Sequence, residues 1–181
     1  NINGTLINCI DTTMTSGGGR SLYKWLRNPL ADRIKIEGRL EIVEKFITYN
    51  NILKQLRLRL KKTLDIERLI SKISRGSGTP RELIGLYDTL HIYDRCIRDL
   101  KGTKEYEKFV LKYKNLDAVK FRIIETLNED APQSLKKGNV IKTGISEKLD
   151  EYREILKNGK NWISEFQKKE RGRLDISSLK V

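Results

Sequence analysis

A chain of 181 residues with 38% hydrophobic and 34% charged side chains has apolar material for one domain, or for two small helical subdomains sharing a core, and lacks the apolar-poor balance of disorder. No apolar run approaches the roughly 20 residues that cross a bilayer, and no basic patch precedes an apolar stretch and cleavage site, so a soluble intracellular protein is expected. The net charge of +13 favours polyanionic partners through counterion release, although a solvated Lys-rich surface produces the same excess.

In chain order, the β-branched and small polar residues Ile7, Ile10, Thr12, Thr13 and Thr15 predict an extended lead-in over residues 1–16. A first helix is expected after Gly17-Gly18-Gly19, running from Arg20 through Leu26 and stopping near Asn28-Pro29, because proline disfavours a helical residue before it. Asp32 is placed to cap a second helix, whose Ile36, Leu40, Val43, Phe46 and Ile47 step by three or four and define one buried stripe. A third helix covers roughly 51–62, where the alternation Leu56-Arg57-Leu58-Arg59-Leu60 also suits a strand. Asp65 caps a segment with Ile66, Leu69, Ile70 and Ile73 on one face, which Gly76-Ser77-Gly78 breaks.

Thr79-Pro80-Arg81-Glu82 reads as a capping box, and the helix it opens carries Leu83, Leu86, Leu90, Tyr93, Ile97 and Leu100 on a heptad stripe. After Gly102 a second stripe runs through Tyr106, Phe109, Tyr113, Leu116, Ile123 and Leu127, with Lys120 in the seam and a kink expected at Asn115 and Asp117. Pro132 and the glycines at 138 and 144 mark a turn-rich insert with room for one short strand. The last helix is expected from Ser146 to about Arg171, with Leu149, Tyr152, Leu156, Gly159, Ile163 and Phe166 on one stripe. At 1.5 Å per residue it would be roughly 40 Å long, enough to outreach a compact core. The extended exit after Asp175 suggests a chain that is cut rather than finished.

The residues that could carry chemistry read better as structure. The triple glycine ahead of Arg20-Ser21 could present N–H groups to a phosphate, but no G-x-x-x-x-G-K-[ST] occurs, and a flexible start to a helix accounts for it. Cys9 and Cys96 stand far apart and are expected as buried thiols; His91 is the single histidine, so neither a metal site nor a nucleophile-base pair has material. The sequon Asn3-Gly4-Thr5 is incidental in an intracellular chain. Acidic pairs at Glu129-Asp130 and Asp150-Glu151 suit solvent-facing ion pairs better than a metal-dependent nuclease. Tyr93, Tyr106, Tyr113 and Tyr152 fall on apolar stripes, which makes them core residues before stacking platforms. Residues 1–62 hold 12 basic and 5 acidic side chains, making the first third the more basic face.

Several segments, in order, resemble the core domain of the MutS family. Leu6-Ile7-Asn8-Cys9-Ile10-Asp11-Thr12-Thr13-Met14-Thr15, then Gly19-Arg20 and Trp25-Leu26 with Pro29-Leu30, is similar to a run ending in Asp-x-Thr-x-Thr, Gly-x-Arg and a Trp-Leu helix. Asp65-Ile66-Glu67-Arg68-Leu69-Ile70 resembles the family's Asp-Leu-Glu-Arg-Leu-Leu, and Pro80-Arg81-Glu82-Leu83 its Pro-Arg-Asp-Leu. Gly138-Asn139-Val140-Ile141, Gly144, Leu149-Asp150-Glu151, Glu170-Arg171 and Ser178-Leu179-Lys180-Val181 complete the set. Gly17-Gly18 departs from a common Pro-Met pair, and Leu174-Asp175 from Thr-Gly.

The resemblance implies an all-α fold: a multi-helix bundle with a long protruding lever helix and a short extended or turn segment near 135–145. Residues 1–145 would be the helical core and 146–181 the outgoing lever helix with a truncated junction to a DNA clamp. It implies a lever of a mismatch repair protein that couples an ATPase to that clamp, with no catalysis here and with ATP and magnesium held by an ATPase domain outside the chain. Implied partners are mismatched double-stranded DNA, a second MutS-type subunit and a MutL-type protein, with no membrane; the implied location is cytoplasmic at a bacterial nucleoid, or nuclear in a eukaryote. No catalytic, nucleotide-binding, metal or mismatch-reading role transfers to any position, and Lys168, Lys169, Arg171 and Arg173 are candidate sequence-blind DNA contacts. The alternatives are a free-standing basic helical nucleic-acid-binding module and a metal-dependent nuclease.

Overall fold

Helix caps set most element boundaries in the computed structural model, which describes residues 4–102, 106–111 and 113–174 and divides into two units, Asn1–Val140 and Ile141–Val181. The fold is all-α. In the first unit the helices are α1 (Leu6–Ile10), α2 (Ser16–Arg27), α3 (Arg33–Thr48), α4 (Asn50–Leu60), α5 (Ile66–Ser74), α6 (Pro80–Lys101), α7 (Glu107–Val110) and α8 (Asp117–Thr126), followed by a 3-10 turn at Leu135–Lys137. The second unit contains α9 (Glu147–Leu174). The exit segment 175–181 and Asn3 of the sequon lie outside the described residues.

The lead-in is not extended throughout, because Thr5 accepts a hydrogen bond from the Asn8 N–H at 3.4 Å and starts α1. Nor does α2 wait for the triple glycine: it begins at Ser16, capped by Thr15, whose Oγ1 accepts from the Gly18 N–H at 2.9 Å. Asp32 caps α3 as expected, its Oδ1 accepting from Ile34 and Lys35.

The α3 stripe departs from expectation. Leu40 is 60% and Ile47 69% exposed, and Ile36 and Val43 are also exposed. Periodicity shows which face of a helix is apolar, but not whether another element covers it. Only the end of the stripe is engaged, where Phe46 stacks on Tyr106 at 4.7 Å between ring centroids and Tyr49 meets the same ring edge-on at 6.3 Å. Tyr106 is 0% exposed.

The core is built around α6, which packs against α4, α5, α7 and α8. Its start is the expected capping box: Thr79 Oγ1 accepts from the Glu82 N–H, and Glu82 Oε2 accepts from the Thr79 N–H at 2.9 Å. Leu86 and Leu90 of the predicted stripe are buried, and so are Thr89 and Cys96, which the stripe omits. Thr89 is 1% exposed because its hydroxyl accepts from the Leu64 N–H at 3.1 Å, fixing the loop between α4 and α5. α4 is a helix and not a strand, with Leu56 turned into the core. Cys9, by contrast, is exposed, because α1 buries none of its residues.

The chain after Gly102 breaks rather than kinks. Asn115 Oδ1 accepts from the Asp117 N–H at 2.7 Å, a local turn that competes with helix and separates α7 from α8. Lys120, in the α8 seam, is only 8% exposed; it pairs with Asp94 of α6 and, at 2.5 Å, with Asp117, while the Tyr113 hydroxyl also donates to Asp94. Burial pushes the Asp94 carboxyl up, but its bonds from Lys120 and Tyr113 hold it below its ordinary value; burial and Asp94 push the Tyr113 phenol up to about 12. The insert forms turns and not a strand: Asn128 donates through N–H to Val140 O at 2.9 Å and through Nδ2 to Asn139 O at 3.0 Å, closing the loop at its neck. In the second unit the 28 residues of α9 extend about 42 Å at 1.5 Å per residue.

Replacing Lys120 with Met leaves the half-buried Asp94 carboxylate with the Tyr113 hydroxyl but no counter-charge and should cost about 2 kcal/mol in a urea titration, with Asp94→Asn in the same chain recovering part of it. A loss below about 1 kcal/mol would show that the pair is not the tie between α6 and α8. Iodoacetamide should alkylate native Cys9 and spare Cys96, whose thiol burial pushes up in pKa; equal labelling would contradict the packing of α6.

Candidate functional site

Three of the motifs that stand far apart in sequence meet in one joint. Asp11 Oδ1 accepts from the Thr13 N–H at 2.9 Å and from its hydroxyl at 2.7 Å, folding the Asp-x-Thr-x-Thr run over the first turn of α2. These bonds hold the Asp11 carboxyl below its ordinary pKa. Glycine suits that close approach at two positions: a Cβ on Gly18 would lie 3.1 Å from Thr15 Oγ1 and 3.2 Å from Thr13 Cβ, and one on Gly19 would lie 3.3 Å from Asp11 Oδ2, so these side chains would have to give way by a few tenths of an ångström. Gly18 and Gly19 thus serve packing, while Gly17 meets only ordinary contact with Arg20.

Arg20, one residue on, reaches the start of α5. Its two Nη atoms donate to the two oxygens of Asp65, each at 2.8 Å, and Nη2 also pairs with Glu67 at 2.6 Å. Such a fork-to-fork pair fixes direction as well as distance. Asp65 works twice, since its Oδ1 also accepts from the Arg68 N–H at 3.4 Å to cap α5. The Arg20 guanidinium holds the Asp65 carboxyl down at about 2, and Asp65 in turn raises the pKa of Arg20. From the other side Arg57 of α4 donates to the Thr12 carbonyl at 3.0 Å.

A second joint lies within the second unit, at the base of α9. Asp150 accepts from the Gly144 N–H at 2.6 Å and from Arg153 at 2.8 Å, and Arg153 donates to the Ile141 carbonyl at 2.7 Å. The Gly144 hydrogen bond, and after it Arg153, keeps the Asp150 carboxyl below its ordinary value. Gly144 sits at φ +88°, so the turn that feeds the helix needs a glycine there. Asp150 is thus engaged in structure, and among the described residues no group of three or more His, Cys, Asp or Glu side chains is placed to hold a metal ion.

The four candidate DNA contacts all lie on the last two turns of α9. Lys168, Lys169 and Arg173 are exposed and Arg171 is half-buried. Arg173 is paired with Glu170 at 2.8 Å. At about 100° per residue the four cations spread over roughly 200° of the helix circumference, a collar and not a single face. Such a collar can attract a polyanion without reading sequence, and cations are also favoured at a helix C-terminus by its dipole. Sequence reading missed a further set, Arg59, Arg95 and Arg98, which line a single surface depression.

Over residues 1–174 the chain matches the family MutS domain III. It is 38% identical over 180 residues to the DNA mismatch repair protein MutS of Halothermothrix orenii, covering 98% of this chain and 20% of that protein. The DNA mismatch repair protein MutS of Bacillus licheniformis is 39% identical over 184 residues, covering 100% of this chain and 21% of that protein. The MutS of Bacillus cytotoxicus is 38% identical over 180 residues. The chain spans about one fifth of the length of these curated relatives.

Asp65→Asn keeps a good helix cap but removes the charge that Arg20 grips. Because the folded-state pKa of Asp65 is depressed to about 2, the stability it contributes is fully present above its unfolded value of about 3.9 and is lost as pH falls toward 2. The variant should melt below the native chain at pH 7, and the two melting curves should converge between about pH 4 and pH 2. Parallel curves across that window would show that the pair contributes nothing.

Proposed function

This chain belongs to the MutS family, in which it is a domain III, and we propose that it serves its parent protein as fulcrum and lever, coupling an ATPase to a DNA clamp without catalysis of its own. One observation carries this reading: α9 is a single helix of 28 residues, anchored at its base by Asp150 and Arg153, whose Tyr152, Leu156, Ile163 and Phe166 are exposed along its length. A stiff arm of this kind transmits displacement where a flexible chain would absorb it, provided its joint has two arrangements. The exposed apolar side chains suit a returning helix of the same protein laid along it.

On this reading mismatch recognition and ATP hydrolysis, with ATP and magnesium as cofactors, belong to the parent polypeptide beyond these residues. The parent would act on mismatched duplex DNA with a second MutS-type subunit and a MutL-type protein, in the bacterial cytoplasm. Among the described residues no helix is long and apolar enough to cross a membrane. Lys168, Lys169, Arg171 and Arg173, at the far end of the arm, would add sequence-blind attraction for the duplex.

The test is mechanical. A four-residue glycine-serine insertion after Gly159, made in the full-length parent, should leave DNA binding and basal ATP hydrolysis near native levels while slowing ATP-driven release of DNA by roughly 10-fold. Unchanged release would overturn the lever. The 181-residue chain alone should hydrolyse no ATP, and activity that survives repeated purification would defeat the assignment of catalysis elsewhere.

A further inference from the structure

We propose that Arg59, Arg95 and Arg98 form a phosphate-binding site at the seam between α4 and the C-terminal half of α6. Together with Asp99 they line an open surface depression of about 320 Å³. Three guanidiniums against one carboxylate leave an excess of two positive charges in this small space. The carboxylate is already engaged, because Arg59 Nη1 donates to Asp99 and, at 3.2 Å, to the Arg95 carbonyl. Those two bonds fix the Arg59 fork while Nε and Nη2 make no hydrogen bond to the described residues. Arg95 and Arg98 are exposed and form no ion pair among the described residues.

Helix electrostatics account for Arg59 and Arg98, which stand in the last turns of α4 and α6, but not for Arg95, which completes the group. The favourable field of a helix C-terminus falls off within the last turn, and Arg95 lies nearly two turns before the end of α6 at Lys101. Gathered like charges repel one another, and an anion in the depression relieves that repulsion. Arginine forks match phosphate oxygens two at a time. The lining is charged throughout, so nothing there recognises an organic body, and the ligand is defined by its phosphate alone. Arg98 also borders a neighbouring cavity of about 440 Å³ with Lys101, whose acids Asp94 and Asp117 are both taken by Lys120. Asp94 and Asp117 carry two negative charges against the one of Lys120, so with Lys101 that cavity is balanced apart from Arg98, and the excess charge sits on the three arginines. A phosphodiester of duplex DNA and a free phosphate share this chemistry.

Tripolyphosphate and a short DNA duplex, each titrated into the native 181-residue chain by calorimetry, test the site and separate the two sources. The variant Arg95→Gln/Arg98→Gln should bind roughly 10-fold or more weakly with an unchanged far-ultraviolet spectrum, whereas Lys136→Gln/Lys137→Gln, which removes the same charge from another surface, should bind like the native chain. For the duplex, the salt slope should also fall by about 2. Saturation by tripolyphosphate alone assigns the site to a free phosphate; saturation by the duplex with the reduced slope assigns it to a DNA backbone. In the native chain the Nε–Hε resonances of Arg59, Arg95 and Arg98 should shift ahead of the other arginines, a readout that does not depend on any variant folding. No saturable binding, equal losses in the two double variants, or no ordered shift of these three resonances would overturn the proposal.

Discussion

Four polar side chains of α6, spaced along its length, each tie down a different part of the first unit. Glu82 takes Lys72 of α5 at 2.6 Å, Thr89 takes the Leu64 N–H of the loop before α5, Asp94 takes Lys120 of α8, and Asp99 takes Arg59 of α4. Leucines between them supply the burial, at roughly 1.5–3 kcal/mol for each fully covered side chain. Apolar packing alone tolerates rotation and sliding of one helix on another, whereas a charge or hydroxyl met at one height on α6 admits one register. The bundle is therefore defined by α6 and by what each of these residues reaches.

Rigidity of this kind is what the proposed lever function requires. A domain meant to transmit movement must not absorb it, and the joints are made where helices begin: Arg20 grips the cap of α5, Asp65, and Asp150 clamps the turn that leads into α9. Both joints combine a helix start with an arginine pair, so the direction of the helix and the position of its first turn are fixed together. In a MutS domain III such joints suit the mechanical role proposed above.

Much of this was legible in the sequence where the information is local. Asp32, Asp65 and Thr79 with Glu82 read as caps because a cap and its N–H lie within three residues, and the α6 stripe reads because helical period is local as well. Gly17-Gly18-Gly19 reads as a flexible start to a helix but lies within α2, where Gly18 and Gly19 approach Asp11 and Thr13, partners that no pattern could choose. Arg20 with Asp65 and Arg59 with Asp99 are 45 and 40 residues apart, and no periodicity links them. The α3 stripe misled for a related reason: its apolar spacing is real, but cover is a property of neighbours. Lys120 stands in the apolar seam of α8, and its counter-charge Asp94 lies 26 residues away, beyond any local pattern.

The same pairings explain where the charge excess resides. Asp65, Glu82, Asp94, Asp99, Asp117 and Asp150 are all bonded to cations, backbone donors or both within the fold. A surface acid would otherwise offset nearby lysines and arginines, but an acid committed to a joint neutralises only its own partner. With 37 basic residues against 24 acidic ones the excess is cationic, and part of it stands on the C-terminal half of α6 and at the far end of α9. Each pair removes a cation with its acid, so the excess of +13 is set by composition, and the joints decide only which of the basic side chains stay unpaired at the surface.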